Sequence, residues 1–176
     1  MLTTARSHTE APAQDIVDLL IECHDRLRTN IDTLKQFGEA CDLNLAQVGD
    51  AADTLRRYFR DALPLHAADE EASVLPRLRG LDGRLDEELD IMCAEHDAQE
   101  PILTEVLRIC GELTVNPARH PARRDTLRAL AASLERHFGK HIEREETIIF
   151  PAIRARLDVA AREEMVRELR ARRDAV

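Results

Sequence analysis

The chain has 176 residues, 44% hydrophobic and 34% charged, with only six Gly, seven Pro and 3% aromatics. This favours one compact domain of long amphipathic helices with a Leu, Ile, Val and Ala core, and disfavours a turn-rich β fold. The formal charge of -9 argues against phosphate-backbone binding, so no nucleic-acid partner is expected despite the Arg cluster at Arg167, Arg170, Arg172 and Arg173. With no apolar run near about 18 residues and no charged-then-apolar leader, no membrane partner is expected and a cytoplasmic location is.

Residues 1–14 are polar and read as a flexible tail. Pro12 suits a helix start, and Ile16, Leu19, Leu20, Leu27, Ile31 and Leu34 then recur at helical spacing up to Phe37 and Gly38. After a turn at 41–44, Val48, Ala52, Leu55, Phe59, Leu63, His66, Glu70 and Val74 form a second stripe that closes near Gly80, with a kink expected at Pro64. Asp82-Gly83 marks the next turn. A third helix follows through Leu85, Leu89, Met92, His96, Leu103, Val106 and Cys110, with Pro101 as another expected kink.

The stretch 114–121, TVNPARHP, reads as a loop. Leu127, Leu130, Leu134, His137, His141, Glu145 and Ile149 outline the fourth helix, and a short fifth runs from about Val159 to Arg173 behind Asp158. The expected fold is all-α: an antiparallel up-down four-helix bundle over 15–156, with residues 157–176 as a C-terminal helix packed on it.

The two halves resemble each other. His66-Ala67-Ala68-Asp69-Glu70-Glu71, with Val74-Leu75-Pro76 beyond, matches His141-Ile142-Glu143-Arg144-Glu145-Glu146 with Ile149-Phe150-Pro151, at an offset of 75 residues. At an offset of 72, His24-Asp25 falls on His96-Asp97. The unit is a helical hairpin used twice.

Residues four apart share a helix face, so His66 with Glu70, and His141 with Glu145, can each present an imidazole and a carboxylate together. His24 and His96 add one imidazole from each preceding helix, and closing the bundle lets all six groups converge. Such mixed N/O donors suit Fe, Mn or Zn over Ca or Mg. Two facing carboxylates can bridge two ions, leaving His24 and His66 for one and His96 and His141 for the other.

A lone HxxxE pair is usually a surface hydrogen bond or ion pair; the duplicated string, each copy preceded by a His, is what selects the metal reading. Glu71 and Glu146 point about 100° away and are expected to support ligands or to be solvated. His137 and Glu100 have no counterpart in the first half, where Ala62 and Arg28 stand, and are additional candidate ligands of the second ion; His137 could equally be a neutral supporting or core His. On that count the His24/His66 ion is the one expected to bind a small ligand. The four cysteines lack CxxC spacing and read as small reduced core residues, with Cys93 a candidate neighbour of His96. Tyr58, two turns before His66, is a candidate proton or electron donor or a core residue.

His24, His66 with Glu70, His96, and His141 with Glu145 resemble the hemerythrin-like, or HHE cation-binding, family over about residues 15–155. The resemblance implies an antiparallel four-helix bundle holding two Fe ions as an oxo- or hydroxo-bridged di-iron centre, with O2, NO or peroxide as ligand. Oxygen-carrying hemerythrins use five His, and Glu100 stands where one of them is expected, which argues against reversible O2 carriage. The expectations are therefore a protein that binds or senses a small ligand, a di-iron enzyme acting on peroxide or NO, or a module in which metal staples the bundle.

Overall fold

A computed structural model describes residues 14–175; the tail up to Ala13, with Pro12 and His8, lies outside the described residues. Among them the chain is helical throughout and has no strand. The first rod is α1 (Ile16–Glu39). The second comprises α2 (Leu45–Arg57), α3 (Leu63–Asp69) and α4 (Leu75–Leu78), joined by π-helical turns at Tyr58–Ala62 and Glu70–Val74. The third is α5 (Gly83–Val115). The fourth is α6 (His120–Arg144), a π turn at Glu145–Ile149 and α7 (Phe150–Arg156), followed by α8 (Val159–Asp174).

Local chemistry sets these boundaries. Asn44 accepts from the Gln47 N–H while the Gln47 side chain accepts from the Asn44 N–H, a capping box that starts α2. Asp82 and Asp158 cap α5 and α8 with their side chains alone, accepting from the N–H groups of Arg84 and Ala161. Gly80 adopts φ 81°, the left-handed conformation that ends the second rod.

Prolines locate the π turns. Pro64, Pro76 and Pro151 each sit at the second residue after a π turn, and the residue before each, Leu63, Leu75 or Phe150, donates its N–H five residues back, to Tyr58, Glu70 or Glu145. A proline cannot donate and its ring presses on the preceding turn, so the helix widens there by one residue without stopping. Pro101, by contrast, is accommodated inside a continuous α5.

The loop expected at 114–121 is much shorter. α5 runs to Val115, a 3-10 turn covers Pro117–Arg119, and α6 begins at His120. Pro121 at the second helical position accounts for this, since it needs no N–H partner there. His120 is buried, donates from Nε2 to the Phe37 carbonyl at 2.8 Å and stacks on the Phe37 ring.

Two apolar clusters fill the bundle. One joins Leu27, Leu34, Leu55, Phe59, Ile109 and Leu134; the other joins Leu20, Val74, Leu89, Met92, Phe150 and Ile153, and is closed by Met165, Val166 and Leu169 of α8. Between these clusters lies a layer of buried polar side chains.

Candidate metal centre

Along α5 the positions 85, 89, 92, 96, 99, 103, 106, 110 and 113 alternate steps of four and three as in a bundle seam, with Ile109 buried beside them. His96 falls on this seam. So do His24 on α1, His66 on α3 and His141 on α6, which places four imidazoles at one level of four rods.

His24, His66, Glu70 and Glu145 form one group of convergent donor atoms, and Glu70, His96, His141 and Glu145 form a second, all within 4.8 Å inside each group. Both carboxylates belong to both groups. Glu70 turns Oε1 toward His66 Nε2 (3.1 Å) and His24 Nε2 (4.0 Å), and Oε2 toward His96 Nε2 (3.3 Å). Glu145 turns Oε2 toward His24 Nε2 (2.9 Å) and Oε1 toward His141 Nε2 (3.2 Å). Each carboxylate thus offers one oxygen to each imidazole pair.

Glu70 and Glu145 are fully buried. Burial and the facing Glu70 carboxylate push Glu145 well above the usual carboxylate range. Burial opposes ionisation of Glu70 too, but the imidazoles of His66, His96 and His141 around it favour its charged form. Burial holds His24 and His141 as neutral imidazoles, the form that ligates. Both oxygens of Glu70, one of Glu145 and both ring nitrogens of His66 are buried without a hydrogen-bond partner among the described residues.

This donor set fits metal ions. Unpartnered buried carboxylate oxygens cost several kcal/mol each in order of magnitude unless a cation meets them. Donor atoms about 3 Å apart have the spacing of neighbouring ligands on one ion with bonds of about 2.1 Å.

Three supporting carboxylates hold the rings. His24 Nδ1 donates to Glu146 Oε1 (2.8 Å), His96 Nδ1 to Glu71 Oε1 (2.7 Å) and His141 Nδ1 to Glu95 Oε2 (3.1 Å). Arg28 also donates to Glu146 at 2.9 Å, and Arg144 reaches Glu95 at 3.4 Å. Glu71 and Glu146 follow from the repeat; Glu95 was missed, although it precedes His96 as Cys23 precedes His24.

The two additional candidates are not brought to the cluster. His137 is exposed and donates from Nδ1 to the Ser133 carbonyl at 2.8 Å. Glu100 is exposed as well, and Gln99 turns inward in its place, 3% exposed with Nε2 unpartnered. The reason is the seam: from His141 it steps back three residues to Phe138, and from His96 forward three to Gln99, leaving the i±4 positions off the buried face. Both donor groups consequently have the same composition, and the expected inequality between the ions does not arise from these residues. Cys93 packs beside the second apolar cluster without bonding His96, Cys41 is exposed, and Cys23 is the cysteine beside the site.

Residues 15–140 match the family described as the hemerythrin HHE cation binding domain. The chain belongs to that family. The match ends just before His141 and Glu145, which the fold returns to the same layer as His24 and His96. An uncharacterized protein of Mycobacterium bovis and uncharacterized proteins of two Mycobacterium tuberculosis strains are each 31% identical to the chain over 107 residues, which is 61% of this chain and 39% of theirs. The chain thus spans about two fifths of the length of these curated relatives. No solved structure matches. Hemerythrin HHE domains bind cations, and this member has two His/Glu clusters able to hold metal. No helix among the described residues is long and apolar enough to cross a membrane.

Proposed function

We propose that the chain is a non-haem di-iron protein that binds or senses a small ligand such as O2, NO or peroxide. The observation that carries this reading is the shared pair Glu70 and Glu145, each with one oxygen toward each imidazole pair. A one-metal site has no use for that division. His24 and His66 would hold one ion and His96 and His141 the other, with both carboxylates common to the two. Bound iron would supply redox chemistry and a Lewis-acidic position for a diatomic ligand or peroxide.

The chain's own residues do the rest. Glu71, Glu95 and Glu146 fix three rings by their Nδ1–H groups, keeping each Nε2 lone pair aimed at the centre. Phe150 stacks on His24 at 5.1 Å between ring centroids and Phe138 meets His141 edge-on at 6.0 Å, so apolar walls exclude water on two sides. Tyr58 lines a cavity that reaches His66. A di-iron enzyme that turns over peroxide or NO is the second reading, favoured by that cavity and the phenol in its wall.

Aerobic iron loading followed by metal analysis and an optical spectrum tests the proposal. About two irons per chain, with an absorption that responds to O2, NO or peroxide, is the expected result. One iron or none, or a spectrum indifferent to all three ligands, would sink it.

A further inference from the structure

The four site imidazoles are not backed alike. His24, His96 and His141 each donate from Nδ1 to a carboxylate, but His66, only 5% exposed, has no partner on Nδ1 among the described residues. The internal repeat says what is missing. The offset of 72 that places His24 on His96 also places Cys23 on Glu95, while the offset of 75 places His66 on His141, so Cys23 beside His66 corresponds to Glu95 beside His141. Where the second half puts a carboxylate against His141, the first half has a side chain two atoms shorter.

A cavity of about 320 Å3 occupies that side of His66, with Cys23, Arg26, Tyr58, Leu65 and Arg173 in its wall. That volume exceeds by far what one water requires. No carboxylate lines it. Arg26 donates to Cys23 Sγ at 3.0 Å and has no carboxylate partner among the described residues. Arg173, from α8, lies 3.8 Å from the same sulfur and shares Asp69 with Arg172, each at 2.8 Å, so Arg173 has only a part share of one carboxylate. Two guanidinium groups, a phenol and the His66 imidazole therefore face one space in which the Cys23 sulfur is the acceptor and no carboxylate is present.

We propose that this cavity binds a small planar oxyanion of carboxylate shape, such as formate, bicarbonate or nitrite, which accepts from His66 Nδ1–H and from Arg26 and Arg173. The anion supplies from solution what Glu95 supplies to His141 from the chain. Its effect on a ligating His66 rests on the dinuclear reading above; its binding does not. A bound anion fixes the His66 ring and makes Nε2 a stronger donor, so the ion held by His24 and His66 responds to anion concentration while the other does not. The inequality between the halves lies in this outer contact.

The test is an NMR titration of the full-length protein, labelled with 15N in His and Arg, both metal-free and loaded with diamagnetic zinc. Formate, bicarbonate and nitrite are added in separate arms against chloride at constant ionic strength. The expected result is a saturable shift of the His66 Nδ1 and Arg26 guanidinium signals with at least one oxyanion, and none with chloride. Cys23→Ala keeps the response. Cys23→Glu abolishes it by placing a carboxylate in the cavity, and Arg26→Gln weakens affinity on the order of tenfold, the loss of one charged hydrogen bond.

Equal shifts with chloride, no shift with any of the three oxyanions, or unchanged affinity in Arg26→Gln would overturn the proposal. Should Cys23→Glu not fold, Arg26→Gln decides. Zinc stoichiometry is read separately: a chain that takes up no pair of ions refutes the dinuclear reading, while saturation by oxyanion in the metal-free protein still stands.

Discussion

The Nε2 atoms of His96 and His141 stand 3.2 Å apart, within hydrogen-bond distance of each other. Their Nδ1–H groups donate to Glu71 and Glu95, and although burial opposes it, the carboxylates of Glu70 and Glu71 raise the pKa of His96, which favours a proton on its Nε2 facing the neutral His141. A metal ion held by the two Nε2 atoms takes the place of that proton. Metal loading should therefore stabilise the fold by about 3 kcal/mol or more once free metal exceeds its dissociation constant about 100-fold, raising Tm by about 5–10 °C. Thermal melts with and without chelator measure this, and coincident curves would count against it.

Because Glu70 and Glu145 serve both clusters, either one changed to Ala should empty both positions. Loss of His66 or His141 should reduce uptake toward one ion. Glu100→Ala and His137→Ala should leave about two per chain, since both side chains are exposed. Metal analysis of the purified variants separates these outcomes; a stoichiometry of one in Glu70→Ala contradicts the shared-carboxylate arrangement.

Asp69 is 1% exposed and accepts from Arg172 and Arg173 at 2.8 Å each, tying α8 to the second rod. Asp69→Ala leaves two guanidiniums without their carboxylate. The expected cost is on the order of 2–3 kcal/mol, below the range for fully buried pairs because both arginines remain partly in water. Limited proteolysis should then cut within or before α8 sooner than in the parent; an unchanged cleavage pattern and midpoint would refute the coupling.

Gly38 and Gly139 should respond oppositely to alanine. A Cβ at Gly38 would meet the Arg128 backbone N at 2.9 Å and Leu127 Cβ at 3.1 Å, where α1 packs against α6, so Gly38→Ala should cost about 1–3 kcal/mol. At Gly139 nothing lies within 4 Å, and the helical backbone should gain about 0.5–1 kcal/mol from Ala. Denaturant melts of the two variants should move in opposite directions.

The rods and the six convergent side chains were legible because both rest on spacing within one helix and on repetition between halves. His66 with Glu70, and His141 with Glu145, needed only the 3.6-residue period. What escaped depended on how one helix is rotated against another. Gln99 and Glu100 are adjacent and both lie about a turn from His96; the 4-3 seam of α5, visible in Leu89, Met92, Val106 and Cys110, selects Gln99. Glu95 was missed for the same reason, as its partner His141 belongs to a different rod. The 114–121 segment has the two prolines and Asn of a loop, yet Pro121 suits a first helical turn as well. The π turns were marked by Pro64, Pro76 and Pro151 but could not be told from kinks.

The division of Glu145 between both imidazole pairs also sets a timetable for biosynthesis. His24 and Glu145 are 121 positions apart along the chain, so a growing polypeptide with its first hairpin complete holds His24, His66 and Glu70 but neither finished cluster. Both ion positions come into being together, after the fourth rod has left the ribosome and docked against α1. Metal uptake by this centre is accordingly expected to follow translation, with a closed metal-free bundle instead of a half-loaded one as the form that precedes it.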